Sequence, residues 1–327
     1  MPPASTGPED GAYAFLGPEG SFAHAAAQAL AADQALAGSV RLVPHASVAE
    51  AVDAVRAATV AGAVVPLENS VEGSVPATLD ELAELASGSP LVIAAETYLP
   101  VVFDLLARPG TRPAGIAAVA THPHAAAQVR RYLLTELPAA KVIPVESTAG
   151  GAQAVSEGRY DAAVAPAAAG RRYGLDSLAH DIADNPGAVT RFVLLRTPSA
   201  PPPPTGNDRT TVVTYLKDDR AGALLEILTE FATRGVNLTR IESRPTKGRL
   251  GQYCFSIDCE GHVGEARVGD ALAALRRICA DVRYLGSYPR SDGAAGRLGE
   301  IRGGRADADF AEAAGWLAQI RATGAGR

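Results

Sequence analysis

The stretch TPSAPPPPTGND, residues 197–208, divides the chain and decides how it folds. Four consecutive prolines favour an extended polyproline II conformation and cannot continue a helix or a central strand. The stretch therefore predicts a semi-rigid linker. The pattern of apolar residues differs on its two sides, which predicts two domains of different architecture.

After the linker, residues 209–290 predict a compact module with the element order βαββαβ, which is typical of the ferredoxin-like fold. Strand patterns cover Thr210–Leu216, Asn237–Ser243, Gln252–Cys259 and Val282–Tyr288. Helix patterns cover Ala221–Thr233 and Glu265–Cys279. A module of this size would leave one face or edge of its sheet exposed.

Before the linker, residues 11–196 alternate short apolar runs with helical patterns, which is typical of a parallel α/β sheet. Buried strands are predicted at Ala12–Leu16, Gly62–Pro66, Ile116–Ala120, Val142–Val145 and Ala162–Ala165. Helices are predicted at Ser21–Ala31, Val75–Leu85, Pro123–Leu134 and Thr148–Glu157.

This N-terminal part is long for one compact sheet, and two further segments predict two lobes. Leu91–Leu106 is predicted to be extended chain that crosses to a second lobe, and the apolar strand Arg191–Leu195 would return to the first. The expected boundaries are about 11–92 with 184–196 for lobe 1 and about 93–183 for lobe 2. Two crossovers would place a cleft between the lobes.

The composition argues against several classes of protein. The formal net charge is −6, so no nucleic-acid partner is expected. No apolar run is long enough to span a membrane, and the first ten residues lack a secretory signal, so a cytoplasmic protein is expected. Cys254, Cys259 and Cys279 are odd in number and lack CxxC spacing, which favours buried thiols over disulfides or zinc.

Several motifs of cofactor and nucleophile chemistry are missing from the sequence. There is no GxGxxG, no GxxxxGK[ST] and no GxSxG, so dinucleotide, P-loop and nucleophile-elbow sites are not supported. His122 and His124 are two residues apart, which does not make a helical metal pair. We expect neither a metal nor a cofactor.

Small polar side chains follow four of the predicted strands, at the junction with the next helix. They are Ser21 in GPEGS, Glu68, Asn69 and Ser70 in LENSVEGS, Thr121 and His122 in THPH, and Ser147 and Thr148 in ESTAGG. Each junction alone is equally an ordinary helix cap. Because ligands bind beyond the carboxyl ends of strands and helix N-termini bind anions, the four together predict a site for a small ligand with more than one carboxylate.

The segment IADNPGAVTRFVLL, residues 182–195, provides a further set of candidates. A turn leads directly into a strand that opens with Thr190, Arg191 and Phe192. Arg191 could hold a carboxylate through two hydrogen bonds, and Thr190 offers a hydroxyl at the mouth of the strand. The alternative is a strand with an ordinary polar entry.

Together these segments resemble the prephenate dehydratase family. The matching stretches are GPEGSFAHAAA (17–27), VPLENSVEGSVPATLDEL (65–82), THPHAAAQ (121–128), STAGGAQAV (147–155), AAAGRRYGL (167–175) and VTRF (189–192). The resemblance covers residues 12–196 nearly without a gap and implies a two-lobed, periplasmic-binding-protein-like catalytic domain over 11–196. His124 departs from the family, in which many members carry glutamine.

The resemblance implies the decarboxylative dehydration of prephenate to phenylpyruvate, a step of phenylalanine biosynthesis. Thr190 is then the catalytic residue in contact with the leaving hydroxyl. It would either donate a strong hydrogen bond or relay a proton, with Glu68 and His122 as candidate relays. Full proton transfer from a threonine hydroxyl alone is unattractive, because that group is a very weak acid.

The same resemblance implies how the substrate is held. Arg191, or the amides near Ser147 and Thr148, would anchor a carboxylate, while the leaving carboxylate would lie in a less polar region near Phe192. The predicted substrate-binding residues are Arg191, Phe192, Asn69, Ser70, Glu68, Ser21, Thr121, His122, Ser147 and Thr148.

The second module resembles the ACT regulatory domain through GALLEIL (222–228), NLTRIESRP (237–245) and the strand around Tyr253. This implies feedback inhibition by phenylalanine, bound between paired ACT domains of a homodimer or homotetramer. The predicted phenylalanine-binding residues are Gly222, Ala223, Leu224, Leu225, Asn237, Leu238, Glu242, Ser243, Arg244 and Pro245. Ala221 stands where proline usually precedes the glycine.

The tail, residues 291–327, lies outside the resemblance. Apolar residues recur at helical spacing over 307–321, which predicts a helix that either docks on the body or a partner subunit or is a surface helix without function.

Three other functions compete with the dehydratase. Arogenate dehydratase has the same chemistry on a substrate with an amino group in place of the keto oxygen, and turnover of the two substrates would decide. A non-catalytic two-lobed small-molecule sensor is disfavoured by the intact Thr-Arg-Phe segment. A bifunctional enzyme with chorismate mutase is disfavoured because the stretch before Ala12 is too short for a helical mutase domain.

Overall fold

The computed structural model describes residues 11–33, 40–84, 90–246, 253–293 and 304–324. Contacts divide the chain into two compact units. Unit 1 comprises Met1–Thr78 and Thr97–Thr197, and unit 2 comprises Leu79–Glu96 and Pro198–Arg327. The boundary between the units therefore lies at the proline-rich linker and also within the N-terminal half, because Leu79–Glu96 belongs to unit 2. Among the described helices, none combines the length and the apolar character that a membrane span requires.

The described part of the N-terminal half alternates strands and helices as predicted. Its strands are β1 (Ala12–Leu16), β2 (Arg41–His45), β3 (Gly62–Asn69), β4 (Gly73–Ser74), β5 (Val92–Pro100), β6 (Asp104–Ala107), β7 (Ala118–Thr121), β8 (Lys141–Pro144), β9 (Ala162–Ala165), β10 (Asp176–Ala179) and β11 (Val189–Arg196). Its helices are α1 (Phe22–Asp33), α2 (Val48–Arg56), α3 (Pro76–Ala83), α4 (Pro123–Gln128), α5 (Arg130–Glu136), α6 (Thr148–Ser156) and α7 (Ala167–Tyr173), and Pro113–Gly115 forms a short 3-10 helix.

The strands form two sheets, which define a first and a second lobe. The first sheet has the order β2-β1-β3-β11-β5 with β4 beside β3, and the second has the order β10-β6-β9-β7-β8. The chain leaves the first sheet after β5 and returns to it as β11, so the predicted double crossover is confirmed. The first crossing lies between Pro100 and Asp104, later than the boundary predicted near residue 92, because β5 is still a strand of the first sheet.

Each sheet is mixed, whereas the strand–helix alternation predicts a parallel sheet. β1 is parallel to β2 and β3, and β7 is parallel to β8 and β9. β11 is antiparallel to β3, and β6 is antiparallel to β9 and β10. At β6 and β11 the chain enters a sheet directly from the other lobe. A parallel strand needs a crossover connection that first carries the chain back to the end of the sheet where its neighbour begins, and such a connection is missing before these two strands.

The single helix predicted over Pro123–Leu134 is in fact two helices, α4 and α5, with Val129 between them at φ −120°. Asp184 satisfies backbone groups at this break. Its N–H donates to the carbonyl of Gln128 at 2.7 Å, and its carboxylate accepts the N–H of Arg131 at 3.0 Å. Because Asp184 is distant in sequence, the helical pattern alone does not reveal the break.

Unit 2 contains a four-stranded antiparallel sheet with two helices packed on one face. The strands are β12 (Asp208–Tyr215), β13 (Leu238–Pro245), β14 (Tyr253–Glu260) and β15 (Asp281–Pro289), and the helices are α8 (Ala223–Thr233) and α9 (Ala266–Ile278). The sheet order β13-β14-β12-β15 confirms the predicted βαββαβ fold. Ile227 and Phe231 of α8 and Leu275 of α9 pack on Val212 and Ile257 of the sheet.

Of the exposed face or edge that the sequence predicts, the sheet has the edge, at β13 with its exposed Ile241, while the other face is buried. Its buried side chains include Arg209, Thr211, Arg240 and Asp258. The described residues of Leu79–Glu96 lie against this face: Arg209 of β12 pairs with Glu96, and the Tyr215 hydroxyl donates to the carbonyl of Ala83. Buried polar groups need such partners, and part of the cover comes from the N-terminal half of the chain.

The predicted C-terminal helix is confirmed as α10 (Asp307–Thr323). The N–H of Ala266, at the start of α9, donates to Asp307 Oδ1 at 2.8 Å. No side chain of this fully described helix is buried, and Trp316 and Leu317 are exposed. The first turn of α10 is therefore held by α9, while the rest of the helix presents an open surface.

The three cysteines are free and buried, as expected. Burial raises the pKa of Cys259 to about 12 and that of Cys279 to about 11. All three lie in or beside the core of unit 2, where a protonated thiol acts as a small apolar group.

Gly286→Ala tests the packing of Leu79–Glu96 on the sheet. Gly286 has φ +129°, and a Cβ atom there would lie 2.3 Å from the carbonyl oxygen of Ile93. We expect a loss of about 3 kcal/mol in the free energy of unfolding, because strain and overlap with a backbone atom add.

Gly206→Ala is the matched control, since its φ is +82° but no atom of a non-adjacent described residue lies within 4 Å of the added carbon. Backbone strain alone should cost about 1 kcal/mol. Urea unfolding of both variants measures the difference. Equal losses would contradict the close approach of Ile93 to β15.

Candidate active site

Thr190, the predicted catalytic residue, lies on β11 directly opposite Asn69 on β3. Asn69 Nδ2 donates a hydrogen bond to Thr190 Oγ1 at 2.8 Å across 121 residues of sequence. Directly opposed residues of two paired strands point to the same face. The antiparallel pairing of β3 with β11 therefore creates this polar pair.

The turn after β3 fixes the orientation of the Asn69 amide. Its Oδ1 accepts the N–H groups of Val71 and Glu72 at 2.8 and 3.0 Å, which is an Asx turn. The oxygen is thus occupied, and the NH₂ group faces Thr190. A hydroxyl has one donor and two acceptor positions, so the Thr190 O–H remains able to donate to another group.

Ser70 attaches the same turn to β11. Its N–H donates to the carbonyl of Val189 at 2.9 Å, and its hydroxyl accepts the N–H of Val189 at 2.9 Å. The two bonds join Ser70 to the residue immediately before Thr190. Ser70 is therefore a positioning group for Asn69 and Thr190 as well as a predicted substrate contact.

Glu72 extends this turn to the second lobe. Its carboxylate accepts a hydrogen bond from Gln128 Nε2 at 3.1 Å and lies 3.7 Å from His124 Nδ1. His124 and Gln128 are four residues apart on α4 and so share one side of the helix. Glu72 and Gln128 were not predicted as site residues; both lie in the motifs that carry the family resemblance, and the four-residue spacing was the available signal.

A second contact between the lobes comes from the loop after β1. Glu19 pairs with Arg172 of α7, and its carbonyl accepts the Tyr173 hydroxyl at 3.1 Å. Gly20 has φ +85°, and a Cβ atom there would lie 3.1 Å from Ala169 Cα, so the close approach requires glycine. We call the space between this loop, the Asn69 turn and α4 the interlobe cleft.

Arg191 and Glu68 lie on the opposite face of the sheet from Thr190 and Asn69, because successive residues of a strand alternate in direction. Arg191 is 2% exposed and lies opposite Glu68, with 3.8 Å between Nη1 and Oε2. Phe192 is 3% exposed. These positions speak against Arg191 as a carboxylate anchor beside Thr190, against Glu68 as a relay to it, and against a substrate contact with Phe192.

Three of the other predicted polar residues cap the helices that follow them. The hydroxyls of Ser21 and Ser147 and the Nδ1 of His122 each accept an N–H from the first turn of the following helix, at 3.2, 3.0 and 3.2 Å. Thr121 is fully buried and donates to the carbonyl of Val164 at 2.9 Å, and Thr148 begins α6. Helix capping accounts for the first three, and their role in substrate binding stays a prediction.

Two imidazoles beside the cleft are shifted toward the neutral form. Burial, followed by the charge of His124, lowers the pKa of His122. Burial also lowers the pKa of His24, which stacks on Phe15 with 4.9 Å between ring centroids and accepts the Gly20 N–H at 3.0 Å. His24 was not a sequence candidate, and its contacts make it a support for the loop after β1.

In unit 2, half of the predicted phenylalanine-binding residues line one open groove of about 550 Å³. They are Gly222, Ala223, Leu224, Leu225 and Ser243. Glu242 and Arg244 alternate with Ser243 along β13 and point to its other face, where Arg244 Nε donates to Asp80 Oδ1 at 3.1 Å. Asn237, Leu238 and Pro245 lie at the two ends of β13, outside the groove lining.

Comparisons with known proteins identify both halves. A family model described as prephenate dehydratase matches residues 13–200. The chain belongs to the prephenate dehydratase family. The enzymes of this family are lyases that convert prephenate to phenylpyruvate, and this is the activity of the chain. An ACT domain model matches residues 210–277, so both resemblances seen in the sequence are confirmed.

Curated proteins and solved structures that resemble this chain include members of the same family. A prephenate dehydratase of Amycolatopsis methanolica is 48% identical over 309 residues, covering 94% of this chain and 97% of that protein. The crystal structure of a prephenate dehydratase from Arthrobacter aurescens in complex with L-Phe has a TM-score of 0.84 and 46% identity, covering 94% of this chain and 99% of that one. A structure described as a novel type of quorum quenching acylase has a TM-score of 0.74 and 32% identity, covering 86% and 98%.

Asn69→Asp tests whether Asn69 sets the direction of the Thr190 hydroxyl. The new carboxylate would still accept hydrogen bonds from the N–H groups of Val71 and Glu72. It would also accept a hydrogen bond from the Thr190 hydroxyl, which would then point away from the substrate. We expect kcat for phenylpyruvate formation to fall roughly 100-fold, with thermal stability retained. The comparison variant is Asn69→Ala, which also removes the turn acceptor and should lower Tm. A wild-type kcat for Asn69→Asp would show that Asn69 does not orient Thr190.

Proposed function

We propose that Thr190 donates a hydrogen bond to the ring hydroxyl of prephenate as that group departs. The observation that carries this role is the 2.8 Å bond from Asn69 Nδ2 to Thr190 Oγ1. Since Asn69 can only donate to this oxygen, the Thr190 proton is directed to another acceptor. A donor aimed at the departing oxygen stabilises the negative charge that develops there.

The chemistry of the substrate explains why one such donor is sufficient. When the bond from the ring to its carboxylate breaks, its electron pair enters the ring, the bond to the hydroxyl breaks, and an aromatic ring forms. Carbon dioxide and water are released, and the departing hydroxide takes up one proton. A threonine hydroxyl is a very weak acid, so hydrogen bonding is favoured over full proton transfer from Thr190 alone.

The two predicted relays fit this site poorly. Glu68 points to the face of the sheet opposite Thr190 and lies near Arg191. Burial lowers the pKa of His122, which disfavours the imidazolium form that would act as a proton donor. We infer that the proton comes from solvent in the cleft, assisted by the Thr190 hydrogen bond.

Substrate binding is proposed to use the start of α6 and the turn after β3. Of the two anchors considered for a carboxylate, Arg191 is enclosed opposite Glu68. This favours the backbone amides near Ser147 and Thr148, because the N-terminus of a helix attracts anions. Ser70 and Asn69 would hold the substrate from the first lobe, and closure through Glu72 and Gln128 would bring α4 to it.

Thr190→Ala is expected to lower kcat by about 100-fold or more, with a smaller change in KM, because a positioned donor of this kind contributes mainly to the transition state. Thr190→Ser should keep part of the activity, since it retains the hydroxyl. Thr190→Val is the control for shape and should resemble the alanine variant. Initial rates of phenylpyruvate formation decide, and wild-type turnover without the hydroxyl would remove Thr190 from the mechanism.

The geometry favours lyase chemistry over the acyl transfer named for one structural relative. A hydroxyl nucleophile needs a neighbouring base to accept its proton. Here the neighbour of the Thr190 oxygen is the amide NH₂ of Asn69, which donates a proton and does not accept one.

We also propose that phenylalanine is a feedback inhibitor that binds the groove of the ACT domain. The groove joins apolar side chains, suited to a phenyl ring, with the start of α8 at Gly222. A structural relative of 46% identity was solved in complex with L-Phe. The exposed side chains of Leu225, Ile241 and Tyr253 on and beside the groove support pairing of ACT domains in a homodimer or homotetramer. We propose that the protein acts in the cytoplasm.

Ser243→Ala tests the groove. Ser243 is its polar lining residue on β13, and loss of one hydrogen bond should raise the phenylalanine concentration for half inhibition about fivefold. Thr239→Ala, a change on the same strand outside the groove lining, is the control and should behave as the wild-type chain. Equal inhibition of all three proteins would remove Ser243 from the effector site.

A further inference from the structure

Leu79–Glu96 belongs by sequence to the catalytic half and by contacts to the regulatory unit. On β13, Arg244 binds Asp80 through Nε and Nη2. On β15, Arg283 Nη1 donates to the carbonyl of Glu84 at 2.7 Å. With the β12 contacts already described, the segment touches three of the four strands of the ACT sheet, on the face away from α8 and α9.

The two ends of this segment continue into the elements that hold the active site. α3 begins at Pro76, directly after β4, in which Gly73 pairs with Asn69. The Thr78 hydroxyl donates to the carbonyl of Pro66 at 2.6 Å and so attaches the first turn of α3 to β3. At its other end the segment runs into β5, the neighbour of β11 in the first sheet.

Strand β13 connects this segment with the effector groove. Ser243 lines the groove on one face of the strand, and the next residue, Arg244, binds Asp80 on the other face. The pair is half-buried, with side chains 20% and 26% exposed, and uses two charge-assisted hydrogen bonds, which are the stronger kind. A shift of β13 at Ser243 therefore moves the partner of Asp80.

We propose that the Asp80–Arg244 pair transmits occupancy of the ACT groove to the active site through α3. Asp80 acts as a positioning residue: α3 is a short helix of about 12 Å, held by Arg244 at its C-terminal half and by Thr78 and the β3–β4 hairpin at its start. Displacement of α3 moves the turn that orients Asn69. The inference rests on the proposed inhibition by phenylalanine and assigns its route to this segment.

The test uses Asp80→Ala in the full chain. Two quantities are measured: the Kd of radiolabelled phenylalanine by equilibrium dialysis, and the factor by which saturating phenylalanine lowers kcat/KM for prephenate. We expect the Kd to stay within about twofold of wild type while the inhibition factor falls at least about fivefold, the lower end of typical coupling between sites. Activity without phenylalanine should persist, because Thr78 still attaches the first turn of α3 to β3 when Asp80 is replaced.

Two matched controls separate this route from general effects. Asp270→Ala removes the ion pair between Arg234 and Asp270, at 2.6 Å, which joins α8 to α9 without involving Leu79–Glu96. Insertion of Gly-Ser after Pro204 lengthens the linker. Both proteins should keep the wild-type inhibition factor.

Three results would overturn the proposal. Asp80→Ala could keep the wild-type inhibition factor. It could bind phenylalanine weakly yet be fully inhibited at saturation, which would mean that Asp80 affects the affinity for phenylalanine and not the transmission of its effect. The Gly-Ser insertion could abolish inhibition while Asp80→Ala does not, which would assign the route to the linker.

Asp80→Asn is a second variant, to be used if Asp80→Ala does not fold. It is a milder change, because the amide oxygen still accepts one hydrogen bond from Arg244. Its inhibition factor should lie below that of wild type, and an unchanged factor would contradict the proposal. If the wild-type chain itself shows no inhibition by phenylalanine, the proposed regulation fails. That result is seen before any substitution and so differs from a failure of the Asp80 route.

Discussion

The antiparallel pairing of β3 with β11 is the constraint on which the active site depends. It sets Thr190 opposite Asn69 and joins Ser70 to Val189 by two backbone-anchored hydrogen bonds. A slip of one residue would turn Thr190 to the face now occupied by Arg191, because side chains alternate along a strand. β11 reaches this position only after the chain has built the second lobe, so the pair of Thr190 and Asn69 forms only when the double crossover is complete.

The two faces of the ACT sheet are buried in different ways, and Leu79–Glu96 contributes to one of them. One face is covered by α8 and α9, and the other carries polar side chains such as Arg209 and Asp258 that require partners. Leu79–Glu96 supplies some of these partners, through Glu96 and Asp80. Burial of this sheet thereby ties it to α3 and β5, the connection through which we propose that phenylalanine acts.

The local sequence pattern was sufficient to predict most of the helices and strands. It was insufficient where contacts with residues distant in the sequence determine the structure. Apolar runs and helical periodicity located β1, β9, α6 and the whole βαββαβ module, since burial on one face leaves a repeat in the sequence. The break between α4 and α5 was missed because Asp184 stabilises it. The antiparallel direction of β6 and β11 was missed because strand direction follows from the path of the chain between lobes.

For the site, the sequence by itself indicated the residues that form it: the motifs around Asn69 and Thr190, and the caps at Ser21, His122 and Ser147. Only the tertiary structure decided which face of β11 meets Asn69, that Glu72 contacts Gln128 on the other lobe, and that Arg244 binds Asp80 instead of lining the groove. The physical reason is that caps and periodicity depend on residues a few positions apart. Cross-strand register and contacts between elements are instead set by burial of surfaces that lie 56 to 164 residues apart in the sequence.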